Sequence, residues 1–399
     1  MRPELGAPDL APESGVVGPG KAVLPVLLGA FGAFGIFAGT FAVLLADLSR
    51  ALDLSPGPLG LALFAGAASS ILAMAALGWT ADRLGRRVFL MITGAVMGAG
   101  IVALASAGAY AALIAALVVL QAATGLYDVG INAAAVDLEK AAGRRFMSVL
   151  HAAFSAGGVV GALSAGAALE AGVDYRRVYL GVLVPVGAVI LAVATTRFPP
   201  PGERPESGGE GSALYRSAPL LAISLVATLA PLSEGEMEHW SGVYLRRTLG
   251  LSALLGGSGV AVFYGAMAFG RLGAALVVGR FGNRRTLLGA GLLAAGGMTL
   301  ALATREPLLI VVGFLVVGLA LSAVVPIAFS AAGDLAPERA GAAISVVTTL
   351  GYGGFLLGPV IVGGLAEIAG LRVALGIIVA SELLIFTLSL RLKTQSRVP

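Results

Sequence analysis

Twelve apolar stretches, each about 20 residues or longer, follow one another along the chain and constrain its fold more than any other feature. A helix needs about 20 residues to cross the hydrocarbon core of a bilayer. Of the 399 residues, 58% are hydrophobic and only 12% are charged, an apolar excess that no soluble globular domain requires. The pattern predicts an all-α membrane protein with twelve transmembrane helices, at 22–48, 57–81, 88–107, 110–137, 147–170, 175–196, 218–246, 253–279, 286–303, 307–332, 340–366 and 371–391.

The segment Gly78–Arg87 (Gly-Trp-Thr-Ala-Asp-Arg-Leu-Gly-Arg-Arg) separates the second and third stretches and orients the whole chain. Its Asp82, Arg83, Arg86 and Arg87 are too costly to place in lipid, so the loop must lie in water. Short loops rich in Lys and Arg face the cytoplasm, and most of the 26 basic residues fall on this same side. We therefore expect a multi-pass protein of the inner (cytoplasmic) membrane with both termini in the cytoplasm.

The chain repeats itself after 197 residues, in charged loop positions as well as in apolar stretches. Arg83 falls on Arg280 and Arg87 on Arg284 when the chain is moved by this distance. Two parallel repeats of six helices are typical of transporters that bind their solute between the two halves. The sequence therefore predicts two pseudo-symmetric six-helix bundles around a central cavity.

The region between the two repeats is polar and rich in Pro, Ser and Gly, which is typical of a linker. The first residues are rich in Pro, Gly and acids, which is typical of a disordered segment. The domain organisation expected from the sequence is a cytoplasmic tail at 1–21, a bundle at 22–196, a cytoplasmic linker at 197–217, a second bundle at 218–391 and a tail at 392–399.

Gly78–Arg87 resembles the signature of the loop between helices 2 and 3 in the major facilitator superfamily, and 279–285 resembles a degenerate copy of it. The segments Gly125–Asn132, Phe146–Ser155 and Glu234–Leu245 resemble a poorly characterised bacterial branch near the fucose/sugar–proton symporters. The resemblance implies transport by alternating access. In those symporters the acid at the position of Asp128 is implicated in coupling and in sugar binding.

The resemblance also implies that the charged loops act as a gate. Asp82 would lie near the start of the eleventh helix, where the helix dipole favours negative charge. Held by neighbouring arginines, it would stabilise the outward-open state; a role as a topology anchor only is the alternative. The residues assigned to this gate are Gly78, Asp82, Arg83, Gly85, Arg86, Arg87, Arg280 and Arg284.

The fourth stretch carries Gln121, Asp128 and Asn132 on one helical face. Asp128 lies about ten residues, or roughly 15 Å, from the cytoplasmic end of the helix. A carboxylate there must meet water, a partner or a solute, or carry a proton. We predict that Asp128 couples transport to protons, with His151 as a relay, and that Gln121 and Asn132 bind solute. A structural hydrogen bond between helices is the alternative.

The seventh stretch is the most polar, and its Pro231 and Gly235 predict a broken helix lining a cavity. Glu234, Glu236 and Trp240 are predicted to contact the solute, with Trp240 stacking on a sugar face or a cation. Two further residues, Glu238 and His239, are expected to be solvated near the membrane surface instead.

Arg271 falls within the eighth stretch, at a depth similar to that of Asp128. It is assigned to solute binding, because it could pair with an acid across the halves or hold an anionic solute. Its side chain could equally extend to the charged loops.

These patterns predict a secondary active transporter that moves a small polar solute, such as a sugar or another organic metabolite, by proton-coupled alternating access. One alternative is a proton-coupled exporter of drug-like or cationic compounds, which the acids of the seventh stretch favour. Gln121 opposes it, because such exporters usually carry an Arg there. A second alternative is a non-transporting membrane sensor with a carrier fold.

The sequence offers no nucleotide-binding loop, no metal constellation and no nucleophile–base pair, so we expect neither an enzyme nor an ATP-driven pump. It has no Cys, which excludes disulfides and thiolate chemistry. The expected partners are a small-molecule substrate, protons and the lipid bilayer. We expect no nucleic acid, no cofactor and no metal, and a monomer.

Overall fold

A computed structural model describes residues 22–200 and 217–391, which are almost entirely helical. The predicted all-α membrane fold is confirmed, because eleven helical segments in the described part are long and apolar enough to cross a bilayer. One of them, Ala253–Ala303, has 51 residues and carries both the eighth and the ninth predicted stretches. The predicted tails, 1–21 and 392–399, and most of the predicted linker lie outside the described residues.

The first half contains eight helices. They are α1 (Val23–Ala51), α2 (Pro56–Leu77), α3 (Thr80–Leu84), α4 (Arg86–Ala105), α5 (Tyr110–Ala142), α6 (Met147–Glu170), α7 (Tyr175–Gly181) and α8 (Leu183–Thr195). Helices α7 and α8 together form the sixth span. Within this half α1 packs on α6, and α5 packs on α2 and α4.

The second half continues the series. It comprises α9 (Ala218–Val243) with a π-helical turn (Tyr244–Thr248), α10 (Ala253–Ala303), α11 (Pro307–Leu321), α12 (Val324–Leu335), a 3₁₀ turn (Pro337–Arg339), α13 (Ala340–Ala369), α14 (Leu371–Ala374) and α15 (Gly376–Leu390). Within this half α9 packs on α13, and α10 packs on α11 and α15.

Helix α10 changes direction at Gly282, whose φ of 78° and ψ of 163° are not helical. Its counterpart in the first half is Gly85, which separates α3 from α4 with a φ of 76° and a ψ of 152°. Only glycine adopts such a backbone conformation without strain. The two residues are 197 positions apart, so the repeat in the sequence is also a repeat in backbone geometry.

The predicted break in the seventh span is wrong, because α9 is continuous through Pro231 and Gly235. Proline removes the backbone hydrogen bond to the carbonyl of Ala227, four residues earlier. That carbonyl faces Gly351 of α13, where an added Cβ would lie 2.9 Å from the oxygen. The freed oxygen is therefore enclosed by a neighbouring helix, and the helix tolerates one missing bond.

Contacts between the two halves lie mainly between α6 and α10, between α2 and α13, and between α1 and α9. We call the end that contains α3 and the bend at Gly282 the basic end, and the end that contains residues 51–56 and 244–253 the far end. The basic end is the one that the charge pattern predicts to be cytoplasmic.

The halves approach most closely near the far end, through paired glycines. A Cβ added to Gly60 of α2 would lie 2.9 Å from the Cα of Gly363 in α13, and a Cβ added to Gly257 of α10 would lie 3.2 Å from the Cα of Gly166 in α6. Small residues allow helix backbones to meet in this way. Each pair is the 197-residue counterpart of the other, so the two contacts between the halves are related by the internal repeat.

Candidate functional site

Arg271 connects the two halves near the middle of the molecule. It donates a hydrogen bond to Glu234 of α9 at 2.8 Å and another to the hydroxyl of Ser155 in α6 at 3.2 Å. Its side chain is 24% exposed and that of Glu234 is 16% exposed, so the ion pair is only partly shielded from solvent. Glu234 lies in the same half as Arg271, so the hydrogen bond to Ser155 is the one that crosses between the halves.

Glu238 lies next to this ion pair, one helical turn after Glu234. Its electrostatic neighbours are Glu234, Arg271 and Tyr264 of α10. The expectation that Glu238 is solvated at the membrane surface is therefore wrong, because four residues of helix place it on the same face as Glu234, toward α10. Among the described residues no basic side chain forms an ion pair with Glu238.

Aromatic rings from both halves surround this group. Phe154 of α6 packs edge-on against Tyr264 with ring centroids 6.3 Å apart, and it also contacts Phe34 of α1 at 5.4 Å. Phe41 of α1 meets His239 of α9 at 6.3 Å. Tyr264 is fixed by close packing on the backbone of Gly158, where an added Cβ would lie 2.7 Å from the ring.

Asp128 lies deeper toward the basic end and is half-buried in α5. Asn132 donates a hydrogen bond to the Asp128 carboxylate at 2.9 Å, one helical turn away. Tyr352 of α13, in the other half, is an electrostatic neighbour of Asp128. Tyr352 also lines a cavity of about 200 Å³ between α2 and α13, together with Ile71, Met74, Ala75 and Thr349.

Two acids of the second half are completely enclosed. Glu236 of α9 and Glu382 of α15 have no exposed surface. Among the described residues, no side chain or backbone group makes a hydrogen bond of normal distance and angle with either carboxylate. Glu236 packs against Gly358 of α13, where an added Cβ would displace its carboxylate. Trp240 is also fully buried. Contact of Glu236 or Trp240 with a solute, as the sequence predicts, would require a rearrangement from this conformation.

The other residues predicted to act near the centre are placed differently from one another. His151 of α6 contacts the ring of Phe31 at 5.3 Å and lies near Arg271, and the described contacts do not join it to Asp128. Gln121 bonds with Thr124 of its own helix and packs against α2. The roles assigned to His151 and Gln121 remain predictions.

The basic end contains a buried ion-pair cluster within the first half. Arg86 donates to Asp82 at 2.7 Å and to Asp137 of α5 at 2.6 Å. The guanidinium and Asp137 are each 4% exposed, whereas Asp82 is 31% exposed. The predicted gate residue Asp82 is thus tied to its own half here. The second acid that Arg86 binds, Asp137, was not assigned to the gate from the sequence.

The remaining residues predicted for the gate lie around this cluster and on the matching bend in α10. Arg83 stacks over the ring of Trp79 at 5.1 Å, while Arg87 is exposed. Arg280 lies over the ring of Phe281 at 5.8 Å, and Arg284 donates to the backbone carbonyl of Leu390 at 3.1 Å. Their role in gating remains a prediction, as does that of Gly78.

The far end is held closed by carboxylates that cap helices of the opposite half. Glu367 of α13 accepts a hydrogen bond from the backbone N–H of Gly57 at 2.8 Å, and Glu170 of α6 accepts one from Leu254 at 3.2 Å. Gly57 and Leu254 are the second residues of α2 and α10, where free N–H groups and the helix dipole attract an anion. We call these two contacts the far-end caps.

A salt bridge adds to this closure. Arg246 of the π turn pairs with Asp47 of α1 through two N–H groups, one of them at 2.9 Å. The next residue, Arg247, donates to the carbonyl of Leu54 at 2.7 Å and to Ser49 at 3.1 Å. These arginines lie at the end predicted to face outward, against the general charge pattern, and their contacts with the first half explain why basic residues are placed there.

Two sets of membrane helices that are related by an internal repeat, and that polar contacts hold together at one end, are typical of membrane carriers. The chain belongs to the major facilitator superfamily, whose family description matches residues 26–280 and 240–399. It is 34% identical over 347 residues to an uncharacterized MFS-type transporter of Yersinia pestis, covering 87% of this chain and 90% of that protein. It is 29% identical over 362 residues to the membrane protein MosC of Rhizobium meliloti, covering 88% and 87%.

Solved structures show the same fold. The nucleoside transporter NupG superposes with a TM-score of 0.75 at 13% identity, covering 94% of this chain and 100% of that one. A bacterial homologue of the human lysosomal transporter Spinster, in an inward-facing and unoccupied conformation, gives 0.71 at 17% identity, covering 92% and 96%. Together with the family match, this makes the chain a multi-pass membrane protein of a transporter superfamily, and the resemblance that the loop motif predicted is confirmed.

Proposed function

We propose that this protein is a proton-coupled secondary transporter of a small polar solute in the inner membrane, working by alternating access. The observation that carries the proposal is the position of Asp128, a carboxylate held in the middle of a membrane helix and close to Tyr352 of the opposite half. Protonation of such a group changes the charge at the place where the halves meet. A proton could thereby bias the equilibrium between the inward-open and outward-open states.

The far-end contacts support an inward-facing assignment for this conformation. Closure by the far-end caps and by Asp47–Arg246 leaves the basic end as the open side. The cavity beside Tyr352 lies between α2 and α13 on that side, where these two helices no longer meet through glycines. In this state Asp82 is tied to Arg86, and in the opposite state it would be available to the start of α13.

Transport is tested with the full-length protein in proteoliposomes under an imposed pH gradient, with a panel of sugars, organic acids and cationic dyes. We expect gradient-driven uptake of at least one class. Asp128→Asn should reduce gradient-driven accumulation by at least about tenfold, because the amide cannot take up and release the proton. Exchange of solute at equal pH on both sides should persist.

The matched control is Asp53→Asn. Asp53 is exposed in the far-end loop with a φ of 49°, a conformation that asparagine also tolerates. If Asp128→Asn transports with an unchanged pH dependence, the coupling role is wrong. If no class shows gradient-driven flux, the non-transporting sensor is favoured.

The gate is tested separately by chemical labelling. The chain has no cysteine, so Ala253→Cys, at a position that is 9% exposed in the far-end interface, supplies a single reporter. We expect Asp82→Asn to fold and to lower labelling of this reporter, because loss of the charge disfavours closure of the basic end and leaves more molecules closed at the far end. Unchanged labelling would reduce Asp82 to a topology anchor.

A further inference from the structure

The charges around Arg271 do not balance. Glu234 and Glu238 are electrostatic neighbours on one face of α9, and the single guanidinium of Arg271 is already bonded to Glu234. Asp128 is separately bonded to Asn132. No basic side chain among the described residues is thus left to pair with Glu238, in the part of the molecule where an unpaired charge is most costly.

A second observation at this place also indicates a ligand. The hydroxyl of Tyr264 is buried and lies beside the carboxylates of Glu238 and Glu234, yet no described residue meets full hydrogen-bond geometry with it. The residue is 2% exposed and its ring is fixed against Gly158 of the opposite half. Buried hydroxyls normally act both as donor and as acceptor, so with its O–H directed toward Glu238 the oxygen of Tyr264 still has an acceptor position for a hydroxyl group of a solute.

We propose that Glu238 and Tyr264 form the recognition site for a protonated amine that also carries a hydroxyl group, such as an amino sugar or an amino alcohol. This inference rests on the proposed transport function and specifies its substrate class. The ammonium group binds Glu238 and supplies the missing positive charge. The hydroxyl group of the solute bonds with Tyr264, and the rings of Phe154 and Phe41 cover its apolar faces.

The same charges argue against an anionic solute. Arg271, the one basic side chain in this group, donates to Glu234 and to Ser155 and so has both of its described contacts within the protein. An incoming carboxylate or phosphate would meet Glu238 and Glu234 at close range. A neutral sugar could exchange hydrogen bonds with Glu238 but would supply no cation, so the site should bind the amine more tightly.

The test measures binding to the full-length protein in nanodiscs through tryptophan fluorescence. The chain has two tryptophans, and Trp240 lies two residues after Glu238, so a Trp79→Phe background leaves one reporter near the site. The probes are pairs that differ in one group: glucosamine with glucose, serinol with glycerol, and ethanolamine with ethylene glycol. We expect each amine to bind at least about tenfold more tightly than its neutral partner.

Glu238→Gln should remove this preference and weaken amine binding at least tenfold, while leaving the neutral partners unchanged. Glu238→Asp, which retains the charge, should keep part of the preference. Tyr264→Phe keeps the ring that packs on Gly158 and loses only the hydroxyl, so it should weaken glucosamine binding in a chain that remains folded. Glu306→Gln, at an exposed glutamate of the far end, is the matched control.

Equal affinities within every pair, or a preference for amines that survives Glu238→Gln, would overturn the inference. Its failure is distinct from failure of the transport proposal. If neutral solutes show gradient-driven flux and amines are not preferred, the proposed substrate class is wrong and the transport proposal stands. If amines bind at Glu238 but no solute shows gradient-driven flux, the proposed binding site stands and proton-coupled transport is wrong.

Discussion

At the scale of single residues, the ionisable side chains of this protein differ mainly in how completely their partners compensate them. Arg86 is buried between two acids, one from α3 and one from α5. Glu238 lies beside the hydroxyl of Tyr264 and the carboxylate of Glu234. The nearby guanidinium of Arg271 is already bonded to Glu234. The ion pairs of Arg86 hold α3 and α5 against α4, whereas Glu238 is the acid that we propose to bind a cation.

Asp137 and Asp82 provide a direct comparison at this scale. Removing one partner from a buried ion pair costs about 3–5 kcal/mol, whereas partly exposed pairs contribute about 0–1 kcal/mol. Asp137 is 4% exposed and Asp82 is 31% exposed. We therefore expect Asp137→Asn to lower the midpoint of thermal unfolding in detergent far more than Asp82→Asn does.

Asp53→Asn gives the baseline for an exposed acid. If Asp137→Asn and Asp82→Asn lower the midpoint of thermal unfolding equally, burial does not decide how much each acid contributes to stability. If Asp82→Asn lowers the midpoint more than Asp137→Asn does, contacts of Asp82 other than the one with Arg86 determine its contribution to stability.

At the scale of elements, the helices make the same contacts twice. Gly60 and Gly257 are equivalent positions of α2 and α10, and each meets a glycine of the opposite half. The far-end caps follow one turn beyond, again at equivalent positions. A far end closed by two matched contacts can open as one unit, because each half presents the same surface to the other.

The far-end caps predict an additive effect. A carboxylate at a helix N-terminus contributes about 0.3–1 kcal/mol, so removing both should favour the far-open state by about 0.6–2 kcal/mol, or roughly 3- to 30-fold. We expect Glu170→Ala with Glu367→Ala to raise labelling of the Ala253→Cys reporter by this factor, and each single variant to give an intermediate value.

Glu306→Gln serves as the control, because Glu306 is exposed at the same end. If the double variant labels no faster than the parent, the caps do not contribute to closure, and the glycine contacts with Asp47–Arg246 would account for it.

At the scale of the whole molecule, the two halves of the chain meet through several pairs of helices, and the predicted linker at 197–217 lies between them in the sequence. The principal contacts that bring the bundles together lie between helices, namely α6 with α10, α2 with α13, and α1 with α9. Such an arrangement suits a rocking motion of one bundle against the other around a central site.

This arrangement predicts that the two halves associate without a covalent connection. A protease site inserted between Gly208 and Gly209, within the predicted linker, should allow cleavage into two fragments. We expect the fragments to co-elute in size-exclusion chromatography in detergent, because the contacts between helices remain. Separation of the fragments after cleavage would show that the linker holds the bundles together.

The sequence by itself determined the class of protein, the positions of the apolar spans and the repeat at 197 residues. These are decided locally, because the length of an apolar stretch and the position of a charge set whether a segment can lie in lipid. It also singled out Asp128 and Arg271 as candidates, since ionisable groups at membrane depth stand out whatever their partners are. The pairing of equivalent residues, such as Arg83 with Arg280, revealed the two halves in the same way.

Only the tertiary structure decided which side chains meet. Depth along a helix does not fix its rotation or its neighbour, so Ser155 as a partner of Arg271, Asp137 as a partner of Arg86 and Tyr264 beside Glu238 could not be derived from spacing. The continuity of α9 through Pro231 was likewise decided by packing on α13, which encloses the carbonyl that the proline leaves free. Local chemistry selects what must be buried, whereas the contact between helices selects its partner.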